Sequence, residues 1–243
     1  MYETIISVNN AHIGWLEELN LRISEDLGGK AVTACSVKKD FAFLCVGADG
    51  KRSVLVRKCL ENAISALILG TLKYEYVDKN LGGVRLPVAS RKLLCHALAG
   101  FDRETEEEIV REILTVGKTF SLDGFYRFRM GELISRWSEI CKLAKEHGAY
   151  LSDEDTMNEL LRFLIDASRT KSRAEVFRLG GKYRLVEYLR DGSSGEAVFD
   201  AFDDLLCRLI DLAPSETILN GFDYDATFKT LNTIFDAKCN ILR

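Results

Sequence analysis

The sequence predicts an α+β protein, and three observations carry that prediction. Runs rich in Val, Phe and Cys alternate with helical periodicity near the start, the centre is helical throughout, and paired strands return after residue 170. The expected parts are an N-terminal αβ part over 1–80, a helical middle over 85–170 and a C-terminal ββαβαβ part over 171–243. The last can form one compact unit with the middle.

Each element has a local reason. Glu3–Val8 reads as the first strand. An amphipathic helix follows, with Ile13, Leu16, Ile23 and Leu27 near one face and Gly28-Gly29 as its left-handed stop. Ala31–Val37 and Phe41–Val46 read as an antiparallel pair turned at Lys38-Lys39-Asp40. A long helix is expected from Ser53, an N-cap residue type, with Val56, Cys59, Leu60, Ala63, Leu67 and Ile68 on one stripe. In the middle, Pro87 suits the first turn of a helix through His96, and Asp102 suits the cap of Glu104–Thr115. Ser121 should start one long helix from Leu122 to about His147. Ser152 with Asp155 resembles a capping arrangement for a helix through Ser168. Further on, Glu175–Leu179 and Lys182–Glu187 flank Gly180-Gly181 as a hairpin, and Asp191–Gly195 reads as loop. The expected remainder is a helix at Phe199–Leu212 stopped by Pro214, a strand at Glu216–Leu219, a helix at Tyr224–Phe235 and a strand at Lys238–Leu242.

Composition narrows the class more than the function. With 47% hydrophobic and 29% charged residues the chain is an ordinary globular one. Thirty-seven acids against 33 Lys+Arg give a net charge of −4, which argues against nucleic acid as the partner. The seven cysteines are scattered through apolar contexts and include no C-x-x-C, so neither a disulfide nor a metal site is expected. The start carries an acid where a signal peptide has basic residues. The longest uncharged apolar run, Ala63–Leu72, is about half the ~20 residues a membrane span needs. A cytoplasmic protein is expected.

The familiar catalytic motifs, G-x-G-x-x-G, H-E-x-x-H and G-x-S-x-G, do not occur. Gly117-Lys118-Thr119 imitates the end of a phosphate-binding loop, but that loop needs a glycine where Glu112 stands. Gly181-Lys182 fails likewise at Val176. His12, His96 and His147 fall on separate predicted helices and read as surface or packing residues.

Two features invite a ligand. On the predicted Leu122–His147 helix, Leu122, Tyr126, Leu133, Trp137, Ile140 and Ala144 form a stripe that includes Arg129, while Arg127 points to the polar flank. A guanidinium in a core stripe needs a carboxylate, for which Asp203 or Asp204 is expected, or else a ligand. Between Arg162 and Arg190, eight basic residues stand against three acids, a local +5. This makes Arg127, Arg129, Arg162, Arg169, Lys171 and Arg173 the candidate ligand-binding set for an anionic small molecule.

Leu122-Asp123-Gly124-Phe125-Tyr126-Arg127-Phe128-Arg129, then Glu159-Leu160-Leu161-Arg162-Phe163-Leu164-Ile165-Asp166, then Leu209-Ile210-Asp211-Leu212-Ala213-Pro214 and Thr233-Ile234-Phe235 occur in that order. This run resembles the YtxC-like family of sporulation proteins from endospore-forming bacteria, over about Phe120 to Cys239. The chain departs from the family pattern at Ser168-Arg169, where a glutamine is expected. Cys239 also stands alone, without the cysteine-rich tail of some relatives. The resemblance implies a cytoplasmic, sporulation-linked role and carries no catalytic residue. The expected function is a non-catalytic binding or regulatory protein with a protein partner and no cofactor. The alternative is an enzyme or sensor with an arginine-lined anion pocket.

Overall fold

The computed structural model describes residues 1–148, 150–189 and 192–240. The protein is α+β, with two mixed sheets and helices distributed over two compact units. One unit comprises Met1–Glu75 and Glu104–Glu139, the other Tyr76–Arg103 and Ile140–Arg243. The helices of the predicted middle are thus shared between two units instead of forming a part of their own.

In the first unit, β1 (Tyr2–Asn9), β2 (Val32–Lys38), β3 (Phe41–Ala48) and β4 (Thr119–Ser121) form a sheet in the order β2-β3-β1-β4. β1 runs antiparallel to β3 and parallel to β4. Period-two alternation selects the inner face: Thr4, Ile6 and Val8 of β1 and Ala42, Leu44 and Val46 of β3 are buried. Against it pack α1 (Ile13–Leu27) and α6 (Leu122–Arg129), and α1 in turn packs on α2 (Ser53–Leu67). α1 buries Trp15, Leu16, Leu19, Ile23 and Leu27, the predicted stripe. It stops at Gly28, whose φ of 49° is the left-handed conformation that glycine adopts at least cost.

The second unit holds β5 (Arg173–Leu179), β6 (Lys182–Tyr188), β7 (Ser194–Phe199), β8 (Glu216–Asn220) and β9 (Lys238–Asn240), in the order β7-β6-β5-β8-β9. β5, β8 and β9 are parallel, and the β5–β6–β7 meander is antiparallel. Its helices are α4 (Val88–Gly100), α8 (Glu154–Ala167), α9 (Phe202–Leu212) and α10 (Ala226–Phe235), with α4 packed on both α8 and α9. On the inner sheet face, Ala174, Val176 and Leu185 are buried between two ion pairs, Glu187–Arg208 at one end and Arg178–Asp225 at the other.

Several expectations are corrected. Ser53 is not the N-cap: Arg52 holds that position, and Asp49 accepts from Lys51 N to start a short 3-10 turn. The helix from Ser53, given no end by its apolar stripe, runs past Ile68 through a π turn (Ile68–Leu72) into α3 (Lys73–Leu81). Pro87 precedes its helix as the N-cap residue. α5 spans Arg103–Ile113 and follows Asp102, at φ 59°. The long helix from Ser121 is two helices, because Met130 leaves the helical region and α7 (Gly131–Glu146) restarts at a glycine. Asp153, not Ser152, caps α8 by accepting from Thr156 N. Part of the loop-like Asp191–Gly195 segment belongs to β7, while Asp191 itself, like Arg190 and the last residues of the predicted Lys238–Leu242 strand, lies outside the described residues.

Candidate functional site

The break at Met130 removes the premise about Arg129. The stripe on α6 ends with Leu122 and Phe125 buried, and Arg127, Phe128 and Arg129 are exposed. The expected Arg129 pair with Asp203 or Asp204 is replaced at Asp204 by Lys92, at 2.8 Å. Arg127 and Arg129 belong to the first unit, and Arg162, Arg169, Lys171 and Arg173 to the second. All six are exposed. In the second unit, Asp166 receives Arg169 at 2.7 Å and Arg162 at 3.9 Å, and Arg173 lies between Glu175 (2.5 Å) and Glu216 (3.7 Å). Local carboxylates thus oppose much of the +5 bias. Gly117-Lys118-Thr119 feeds β4: Lys118 O accepts from Ile5 N at 2.9 Å, and Gly117 O from Thr4 Oγ1 at 3.3 Å.

The motif residues that carry the family resemblance hold backbone joints. Asp123 accepts from Asn9 N at 2.6 Å and sits 2.7 Å from His12 Nδ1, tying the start of α6 to the end of β1. Ser121 Oγ accepts from Gly124 N at 3.2 Å, and a Cβ on Gly124 would meet that oxygen at 3.2 Å. Ala213, at φ 41°, ends α9, and its carbonyl accepts from Thr170 N at 2.8 Å.

Two histidines meet partners that spacing does not reveal. His12 stacks on Trp15 with ring centroids 3.9 Å apart, and Trp15 Nε1 donates to Glu75. His96 on α4 faces α9, with Nδ1 2.7 Å from Asp211 Oδ1 and a hydrogen bond to Cys207. Burial alone would lower its pKa. The bonds to Asp211 and Cys207, with the Asp211 charge, outweigh that and raise it to about 9. The imidazolium therefore fastens α4 to α9 at neutral pH.

The most enclosed charges of the first unit are Lys73 and Glu106, both 0% exposed. Lys73 Nζ donates to Glu106 Oε2 at 2.7 Å, and Trp137 Nε1 donates to Oε1 at 3.0 Å. Glu106 falls on the predicted Glu104–Thr115 helix, and Lys73 belongs to no motif in the sequence. A helical wheel contains the signal: Leu69, Lys73, Val77 and Leu81 share one i+4 row, as do Glu106 and Val110. The pair is sealed from solvent and holds α3 to α5.

What the first unit leaves open is β2. This strand forms one side of the sheet, and its seven residues pair one-to-one with β3 without a bulge. Among the described residues no strand pairs with its far edge, which leaves backbone donors and acceptors there for another chain. α1 packs chiefly on β1 and β3, so even the residues in register with the inner face, Cys35 and Val37, are exposed. On the outer face Phe41, Phe43 and Cys45 of β3 stand beside Val32, Ala34 and Ser36 of β2, with Phe41 48% and Val32 75% exposed. Where β2 begins, Lys30, Ala31, Val32, Ala48 and Gly50 help line an open cavity of about 580 Å³. The edge strands of the other sheet differ: β9 has three described residues, and β7 carries Gly195 and Glu196. Compared with protein-family models, with curated proteins and with solved structures, the chain matches none.

Proposed function

We propose that this chain is a non-catalytic binding or regulatory protein of the cytoplasm, acting during endospore formation. The process is inferred from the resemblance over Phe120–Cys239. The binding role is supported by one observation above the others: the regular, uncovered edge of β2 beside an apolar sheet face. Natural sheets blunt such edges with Pro, bulges, inward charges or very short strands, because an unpaired edge is a template for another chain. β2 is seven residues long and has its one charge, Lys38, at its end. The His96–Asp211 contact fixes a helix interface and so maintains structure.

Deleting the gene tests the proposal. Heat-resistant spore counts should fall or their appearance be delayed, with vegetative growth unchanged. An equal defect in both phases would point to a housekeeping role and overturn it.

A further inference from the structure

We propose that β2 receives an extended, acidic segment of a partner protein as an additional strand of the first unit's sheet, an inference that rests on the binding role proposed above. The geometry supplies a backbone edge about 23 Å long at the usual rise of ~3.3 Å per residue. It also supplies side-chain surroundings for a strand laid there, because Val32, Ala34 and Ser36 face one side and Thr33, Cys35 and Val37 the other. The cavity at the Val32 end is lined by Met1, Ala31, Val32 and Ala48, with Lys30 and Asp49 also on its wall, and suits a small apolar anchor.

Charge selects the chemistry of the occupant. Lys30 through Arg52 contains five basic residues (Lys30, Lys38, Lys39, Lys51, Arg52) and two acids (Asp40, Asp49), a net +3 within a chain of −4. The cations flank both ends of the strand. Lys38 and Lys39 stand at the hairpin end, and Lys30 stands at the cavity end, where its carbonyl accepts from Arg52 Nη1 at 3.2 Å. Asp49 already accepts from Lys51 N. A segment with carboxylates roughly seven residues apart around a β-branched centre meets basic residues at both ends, in either orientation. A second copy of β2 would instead bring Lys38 of each chain toward Val32 of the other and add cations to cations, so the acidic partner is favoured.

The test uses the full chain and two fluorescent seven-residue peptides with alternating Val and Thr, one with Asp at both ends and one with Lys. Anisotropy should show the Asp peptide binding at least about tenfold tighter, as several ion pairs of ~0.5 kcal/mol or more would give. The triple variant Lys30→Glu, Lys38→Glu, Lys39→Glu should reverse that preference. These side chains are exposed, so the variant should fold, and the wild-type comparison stands without it. Amide exchange across Val32–Lys38 should slow when the Asp peptide is bound. Binding of neither peptide, equal binding of both, or concentration-dependent dimerisation that protects the β2 amides would each overturn the proposal. A sporulation defect on gene deletion, with no peptide binding, would remove this partner and leave the proposed function in place.

Discussion

Removing Lys73 tests how the first unit is held together. Lys73→Met keeps the length and apolar stem of the side chain but removes the ammonium that donates to the buried Glu106 carboxylate. Breaking one member of a buried pair costs about 3–5 kcal/mol, since the survivor is uncompensated. For a chain of this size each kcal/mol lowers Tm by roughly 2–4 °C, so a fall of about 6–20 °C is expected. Glu106→Gln added to Lys73→Met removes the buried negative charge and keeps an acceptor for Trp137. The double variant should therefore be more stable than Lys73→Met alone, by about 2 kcal/mol. Thermal and urea melts of wild type, both singles and the double give the cycle. Additive losses would refute the reading that Lys73 and Glu106 act as one neutralised unit.

Three further outcomes are expected. His96, with its pKa raised from 6.5 to about 9, contributes stability that is full below pH 6.5 and is lost as pH rises through 9. Asp211 is 42% exposed, so screening leaves on the order of 1–2 kcal/mol, and the stability gap between wild type and His96→Gln should close between pH 6 and 10. A gap that is constant across that range would refute the charge argument. Burial, and then the nearby Asp78, pushes the Cys95 thiol up to about 12; burial and Asp26 push Cys59 to about 11. In a thiol-reagent assay at pH 8, exposed Cys35 should react first, and Cys59 and Cys95 only on unfolding. Cys95 reacting as fast as Cys35 would contradict this. Arg129→Ala should leave Tm unchanged to within about 0.5 kcal/mol of stability, because the side chain is exposed. A clear destabilisation would restore the buried-pair reading.

Alternation and helical periodicity made the strands at both ends and the α1 stripe legible, because each is a local pattern read against one buried face. Tertiary pairing was not. β4 is three residues long and exists because it lies parallel to β1, and β7 exists because β6 offers an edge. The single long helix from Ser121 failed at Met130, where periodicity continues in sequence although the backbone breaks. That one error carried Arg129 into an imagined core. His96 with Asp211 and Lys73 with Glu106 are separated by 115 and 33 residues, so sequence spacing could not join them. The exposed edge was half visible: Ala31–Val37 read as a strand, but only sheet order shows that it is unpaired on one side.

Binding of a partner by the β2 edge during endospore formation is the role proposed above. Its most direct test is the spore count of the deletion strain carrying either the wild-type gene or the Lys30→Glu, Lys38→Glu, Lys39→Glu allele, expressed at equal levels. The wild-type gene should restore heat-resistant spores and the charge-swapped allele should not, with vegetative growth equal in both strains. Full restoration by the charge-swapped allele would contradict the claim.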